Sequence, residues 1–331
     1  MTSPVAGSTD FRTSWSGVVS VDVTVDLSSC VIRQRAAWAR ERMLGENSHL
    51  VTHYRPIVPE FVGTRWEYRD MCGRYATTTN PARLAADLDA IDETGAADAR
   101  TFTSYNVAPT TQVLTVVRRH EHGHPDDEPK LRVRRMRWGL IPVWTKVAEP
   151  GVPVKGKPLF NARADKAATT ASFRDAVKYR RCLVPMDGWY EWLVESAGNG
   201  KAVKHPYYMS NADGSRLYMA GLWSVWRDRA LPDSDPLLSC TILTTDSVGE
   251  LTNIHDRMPL PMPEEHWDAW LDPDHPAPAS LLETPDAAAV AGIAVRPVSP
   301  LVNSVKNNGP ELLAPLADTA DTEQAGQISL L

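Results

Sequence analysis

The sequence predicts an α+β domain: a curled, mostly antiparallel β-sheet, closing towards a pseudo-barrel, with helices at its periphery. Two observations predict it. Short apolar runs with strand-like patterning recur along most of the chain, each bounded by Gly, Pro, Asn or Asp. Helical periodicity is brief and confined to a few places, and no internal repeat organises the chain.

In chain order, residues 1–70 read unlike the rest. Val19 to Val25 alternates like a strand, Arg33 to Met43 suits a short helix, and Pro56 and Pro59 interrupt any regular element beyond it. No coherent core is visible there. The segment is expected to be poorly ordered. Three readings stay open: a translation start placed too early, a pro-segment removed before Cys72, or a true N-terminal appendage. From Met71-Cys72-Gly73-Arg74 the signals sharpen into a short strand. Asn80 is placed to cap a helix with Pro81 at its first position, and Leu84, Leu88 and Ile91 fall on one face of it. Tyr105 to Pro109 reads as a turn-rich loop, Val113 to Arg118 as a strand, and His120 to Pro129 as a hairpin loop. Leu131 to Arg137 alternates and leads to Trp144, with Pro142 at a strand end. A helix is expected from Ala164 to about Arg181. A hairpin is expected over Leu183–Pro185, Asp187-Gly188 and Trp189–Leu193. Three apolar strands come next, then a loop from Glu250 to Pro259 and a helix opened by Pro263 that turns Trp267, Trp270 and Leu271 to one side. The domain is expected to span 71–314, and the acidic tail 315–331 to be disordered.

Composition narrows the function. The longest apolar runs are far shorter than a membrane span, so no transmembrane helix is expected, and the N-terminus lacks the pattern of a secretory signal. Cys30, Cys72, Cys182 and Cys240 are widely spaced and form no CxxC, which argues against a disulfide framework or a zinc site and for a reducing cytoplasm. Cys182 and Cys240 lie in apolar runs, as buried thiols do. His120, His122 and His124 alternate, but a hairpin loop explains them as well as metal binding does. The net charge is −6, which by itself speaks against nucleic acid. The charge is uneven, however: from Lys155 to Cys182 basic residues far outnumber the acids Asp165 and Asp175.

Cys72 carries a particular chemistry if Met71 and everything before it are removed. An N-terminal cysteine presents an amine and a thiol on adjacent carbons. With an aldehyde the amine forms a Schiff base, and the thiol then closes a five-membered thiazolidine. An internal cysteine cannot, because its nitrogen is an amide. The free α-amine, with a pKa near ~7.7–8.0, is partly neutral at pH 7.

Tyr105-Asn-Val-Ala-Pro, Arg137-Trp-Gly-Leu-Ile-Pro, Asn161-Ala-Arg-Ala, Cys182-Leu-Val-Pro, Gly188-Trp-Tyr-Glu-Trp, Ala220-Gly-Leu-Trp, Ile254-His-Asp-Arg-Met-Pro, Pro297-Val-Ser-Pro and Val302-Asn-Ser-Val come after Met71-Cys-Gly-Arg in one order. Together they resemble the SOS-response-associated peptidase (SRAP) family of abasic-site processing proteins, over about residues 71–314. The resemblance implies a single SRAP-like domain that cross-links covalently to abasic sites in single-stranded DNA through a thiazolidine on Cys72, shielding the lesion. It implies Asn161, Glu191 and His255 as catalytic companions of Cys72. Arg74 and Arg163 are implied to hold phosphates, with Asn106, Trp144, Trp192 and Arg257 completing the DNA-binding set. It further implies no cofactor and no metal, a monomer, lyase or autopeptidase activity, contact with the replication machinery, and a cytoplasmic, nucleoid-associated location.

The residue types suit that chemistry independently. Schiff-base formation needs a proton for the departing hydroxyl, and ring closure needs one taken from the thiol. A carboxyl desolvated among Trp189, Tyr190 and Trp192, as Glu191 is expected to be, can do both. His255 titrates near neutrality and can open the sugar ring. Asn161 offers an amide, the arginines offer planar forks for phosphate, and Trp144 and Trp192 offer faces for bases. Two other functions fit the same sequence. One is a thiol peptidase pairing Cys72 with His255; the other is a non-covalent single-strand-binding module.

Overall fold

The computed structural model describes residues 73–95, 102–196 and 202–316. Cys72, the segment 1–70 and the tail from 317 lie outside the described residues. All the described residues fall in one compact unit, Arg65–Leu331.

The elements are β1 (Arg74–Thr77), α1 (Pro81–Asp87), β2 (Ile91–Asp92), β3 (Ser104–Val107), β4 (Gln112–Arg119), β5 (Lys130–Trp138), β6 (Val147–Glu149), β7 (Val152–Pro153), β8 (Asn161–Arg163), α2 (Ala164–Ala167), α3 (Arg174–Tyr179), β9 (Arg181–Met186), β10 (Gly188–Ser196), β11 (Ala202–Asn211), β12 (Leu217–Trp226), β13 (Leu237–Asp246), β14 (Arg257–Pro259), α4 (Trp267–Leu271) and β15 (Ile293–Pro297). They form the expected α+β architecture, in which strands dominate and helices are short. One sheet runs β15-β11-β10-β1-β3. The other runs β14-β13-β12-β9-β4-β5-β2 and curls until β5 meets β13 again, with Ser239 beside Arg137 and Cys240 beside Trp138. That contact closes β13, β12, β9, β4 and β5 into a small barrel, and the Gly139 N–H donating to the Cys240 carbonyl at 2.8 Å secures the seam.

Local signals hold where they are local. The Asn80 side chain accepts from the Arg83 N–H at 2.7 Å and starts α1 at Pro81. Helix α1 stops at Asp87, so Ile91 falls not on its face but in β2, 38% exposed. Trp267, Trp270 and Leu271 are all buried under the barrel wall. Tyr105 to Val107, read as loop, is strand β3, because it gains β1 as an edge partner. The single helix expected to Arg181 is two: the Thr169 and Thr170 hydroxyls donate back to the Lys166 carbonyl, which competes with the helical ladder and ends α2.

The largest departure concerns 183–193. It is not a hairpin. Strand β9 belongs to the barrel, beside β12, whereas β10 belongs to the other sheet, between β1 and β11. The chain crosses from one sheet to the other at Asp187. Its N–H donates to the Ala76 carbonyl at 2.8 Å, and its carboxylate accepts from both the N–H and the hydroxyl of Thr78, each at 2.7 Å. Gly188 is required next: a Cβ there would lie 2.3 Å from the Met209 carbonyl oxygen.

The basic run also separates. Lys155, Arg163, Lys166, Arg174 and Lys178 are exposed, but Arg181 is buried. Its guanidinium donates to the carbonyls of Val177, Lys178, Trp270, Asp272 and His275, tying α3 to the segment after α4. Arg181→Met keeps bulk but orphans several buried acceptors. It is expected to lower the unfolding free energy by about 3 kcal/mol or more, read from urea unfolding.

Cys182 and Cys240 are fully buried, as expected. Burial pushes the Cys240 thiol up to about 12 and raises Cys182 as well. Both should therefore resist iodoacetamide in the native protein at pH 8 and react only after denaturation, as peptide mapping by mass spectrometry will show.

Candidate functional site

The β1–β10 register organises the candidate site. Arg74 faces Tyr190 and Tyr75 faces Trp189 in antiparallel pairing, which brings the start of β1 to the part of β10 that carries Glu191. Glu191 is 1% exposed. It shares its face of β10 with Trp189, whose ring is buried in the core between the sheet and the barrel. The aromatic surroundings expected for Glu191 are thus present on the Trp189 side. Tyr190 and Trp192 point to the opposite face, against Val298, Val302 and Leu312.

On that opposite face three of the sequence-derived residues meet. The Arg74 guanidinium donates to Asn106 Oδ1 at 2.8 Å and to the Val302 carbonyl at 2.9 Å. The Asn106 amide donates to the carbonyls of Ser304 and Asn307, each at 3.0 Å. Trp192 Nε1 donates to Asn303 Oδ1 at 2.7 Å. Arg74, Asn106 and Trp192 are therefore bound to one segment, 302–307. Asn106 is buried and acts as its clamp. Burial lowers the Arg74 pKa, opposed by the Tyr190 hydroxyl nearby. Asn308 extends the clamp, accepting from the Tyr105 N–H at 2.7 Å and from the Ser104 hydroxyl at 3.0 Å. Val302-Asn303 was visible as a motif; the partnership of Asn307 and Asn308 with β3 was not, because it spans some two hundred positions.

A second group gathers at the far end of β13. Strand β8 lies parallel to it with Asn161 beside Ile242 and Arg163 beside Thr244. Strand β14 lies on its other side, with Arg257 beside Asp246. Arg163 grips Asp165 through two parallel bonds of 3.0 Å, and the hydrogen bond to Asp165 followed by the Asp165, Asp246 and Asp256 charges raises its pKa. The side chain is still about half exposed. His255 enters from the loop after the 3-10 turn Gly249–Asn253. Its Nδ1 lies 3.0 Å from the Arg257 N–H and 3.1 Å from Asp256 Oδ1. In the neutral ring Nδ1 accepts that N–H and the proton sits on Nε2; in the charged ring Nδ1 pairs with Asp256.

Arg257, expected at the nucleic-acid interface, has a different placement. It is buried, and its guanidinium donates to the exposed Asp246 carboxylate and to the Thr244 carbonyl at 2.6 Å, which makes it a strut between β13 and β14. Trp144, by contrast, stands 53% exposed between β5 and β6. The His120 ring is held between the Asp127 carbonyl and Asp274, and no cluster of three metal-ligating side chains occurs among the described residues.

The family model described as SOS response associated peptidase (SRAP) matches residues 71–305. The chain belongs to this family. It is 35% identical over 213 residues to the abasic site processing protein YoqW of Bacillus subtilis, covering 63% of this chain and 85% of that one. It is 32% identical over 248 residues to the abasic site processing protein YedK of Escherichia coli, covering 74% of this chain and all of that one. With the abasic site processing protein HMCES of Gallus gallus it shares 30% identity over 279 residues, 74% of this chain and 78% of that one. A crystal structure of a Bacteroides thetaiotaomicron protein superimposes with a TM-score of 0.58 at 22% identity, over 74% of this chain and all of that one, and shows a similar fold. The SRAP match begins at Met71, immediately before the cysteine. No helix among the described residues is long and apolar enough to cross a membrane.

The clamp can be tested by itself. Asn106→Ala removes one acceptor and the donors of two or three bonds at a buried position. A loss of about 2 kcal/mol in urea unfolding is expected, with faster amide exchange in 302–308 than elsewhere.

Proposed function

We propose that this chain processes abasic sites in single-stranded DNA, by covalent capture of the ring-opened sugar aldehyde on Cys72. The names of its SRAP relatives favour the substrate. The observation that supports the mechanism is the β1–β10 register: Arg74, two residues after Cys72, pairs with Tyr190, the neighbour of the buried Glu191.

In this reading Cys72 is the first residue of the mature chain. Its neutral amine adds to the aldehyde carbon to give a carbinolamine. Glu191 donates a proton to the hydroxyl, which leaves as water, and an iminium remains. A carboxyl removed from water favours its protonated form, which suits it to this step. The thiol then gives its proton to the Glu191 carboxylate, and sulfur bonds to the iminium carbon. That closes the thiazolidine, leaves the nitrogen as a neutral secondary amine and restores the Glu191 acid. His255, with its proton on Nε2, donates to the sugar oxygen as the furanose opens. Asn161, at the start of β8, holds a polar group of the sugar. Arg163 is the exposed fork at this end of β13 and receives a phosphate in exchange for part of its bond to Asp165. Trp144 offers an exposed ring to a base. Arg74 and Asn106 act through the 302–307 segment, which they hold as part of the strand-binding surface, and Arg257 holds His255 in place. The domain runs from 71 to about 314 and works as a monomer, without cofactor or metal.

The test is a heat- and SDS-stable band formed with a single strand carrying one abasic site. It should form with protein whose intact mass places Cys72 first. It should be absent in Cys72→Ala and in protein that retains the preceding residues. Glu191→Gln should slow its formation about 100-fold or more without weakening binding to an undamaged strand. A normal rate in Glu191→Gln would remove the carboxyl from the mechanism. A band in Cys72→Ala would remove the thiazolidine.

A further inference from the structure

A cavity of about 770 Å³ shares no lining residue with the candidate site. It opens where the β4–β5 hairpin, the end of α3 and the meeting point of β12 with β13 converge. Its volume is within the range of small-molecule sites, and it is broadly open to solvent.

The charges around it do not cancel. Arg132 and Arg134 share Glu93, and Arg132 also binds Glu121 at 2.8 Å. Asp274 is engaged by His120 at 3.0 Å. Those pairs use the lining carboxylates. Arg119, Arg180 and Arg227 also line the cavity and form no ion pair with a carboxylate among the described residues, although the Glu93 charge reaches Arg119 and Arg227 donates to the Ser234 carbonyl at 3.4 Å. Arg119 is fixed in place: its guanidinium stacks over the buried ring of Trp223, 5.1 Å from the centroid. Burial lowers its pKa and the Arg134 charge lowers it further; the Glu93 carboxylate opposes them, and Arg180 and Arg132 add smaller contributions in the lowering direction. Beside Arg180, Tyr179 turns a ring that is 52% exposed to the rim.

We propose that this cavity binds a phosphomonoester of nucleotide size, its phosphate held by Arg119 and Arg180 and its base laid against Tyr179. A dianionic phosphate is the ligand that planar guanidinium forks without acidic partners are shaped to receive. A metal cation is disfavoured by the same charges. The ligand is either a free nucleotide or the 5′-phosphorylated end of a strand. The proposal is independent of Cys72 chemistry, because both can be offered without an abasic site.

The experiment is calorimetric titration of the full chain with AMP and with a short undamaged single strand bearing either a 5′-phosphate or a 5′-hydroxyl. Wild type should bind AMP or the phosphorylated strand, and the double variant Arg119→Gln/Arg180→Gln should bind it about tenfold or more weakly. Preference for the phosphorylated strand over its hydroxyl twin identifies a strand end; AMP binding with no such preference identifies a free nucleotide. Because Arg119 covers Trp223, the single variant Arg180→Gln, expected to melt like wild type, repeats the measurement with the stack intact. No binding of AMP or of the phosphorylated strand by wild type overturns the proposal. So does unchanged binding in both variants.

Discussion

Everything at the candidate site depends on the crossing at Asp187-Gly188. One residue takes the chain out of the closed barrel, and the next begins the strand that carries Glu191. The Asp187 N–H and carboxylate hold Ala76 and Thr78, so the crossing also fixes where β1 lies against β10. Shift that register by one residue and Arg74 no longer faces Tyr190, the neighbour of Glu191, while the side chains of the shifted strand, Tyr75 if it is β1, leave the core for the other face. The glycine is part of the same constraint, since the Met209 carbonyl occupies the place of a side chain. The barrel provides rigidity through the β5–β13 seam; the crossing transmits it to the sheet.

The fold was legible where the physics is local or strictly periodic. Asn80 before Pro81, the one-sided Trp267, Trp270 and Leu271, and the apolar strands that became β4, β12 and β13 all declared themselves over a few residues. The crossing did not. Asp-Gly between two apolar runs is the pattern of a tight hairpin, and only the partners of each strand, distant in sequence, show that the runs part company. Arg181 read as one more cation in a basic run, because the five carbonyls it serves lie partly in 270–275, far downstream.

The site divides along the same line. Glu191, Asn161 and His255 were visible through short motifs and through the chemistry their side chains can perform. The arginines were visible only as charges. Arg257 turned to Asp246, Arg74 was absorbed into a clamp with Asn106, and Arg163 kept half its surface. Charge in a sequence announces a donor but not its acceptor. The clamp on 302–307 and the arginine-lined cavity were invisible for that reason: each is assembled from elements distant in sequence.

Strand β1 comes first among the described elements yet sits in the interior of its sheet, between β10 and β3. During synthesis it therefore leaves the ribosome long before the neighbour that completes it. A nascent chain has only β3 to set beside β1 until β10 is made, so the register of this sheet is fixed late, when β10 docks on the other side.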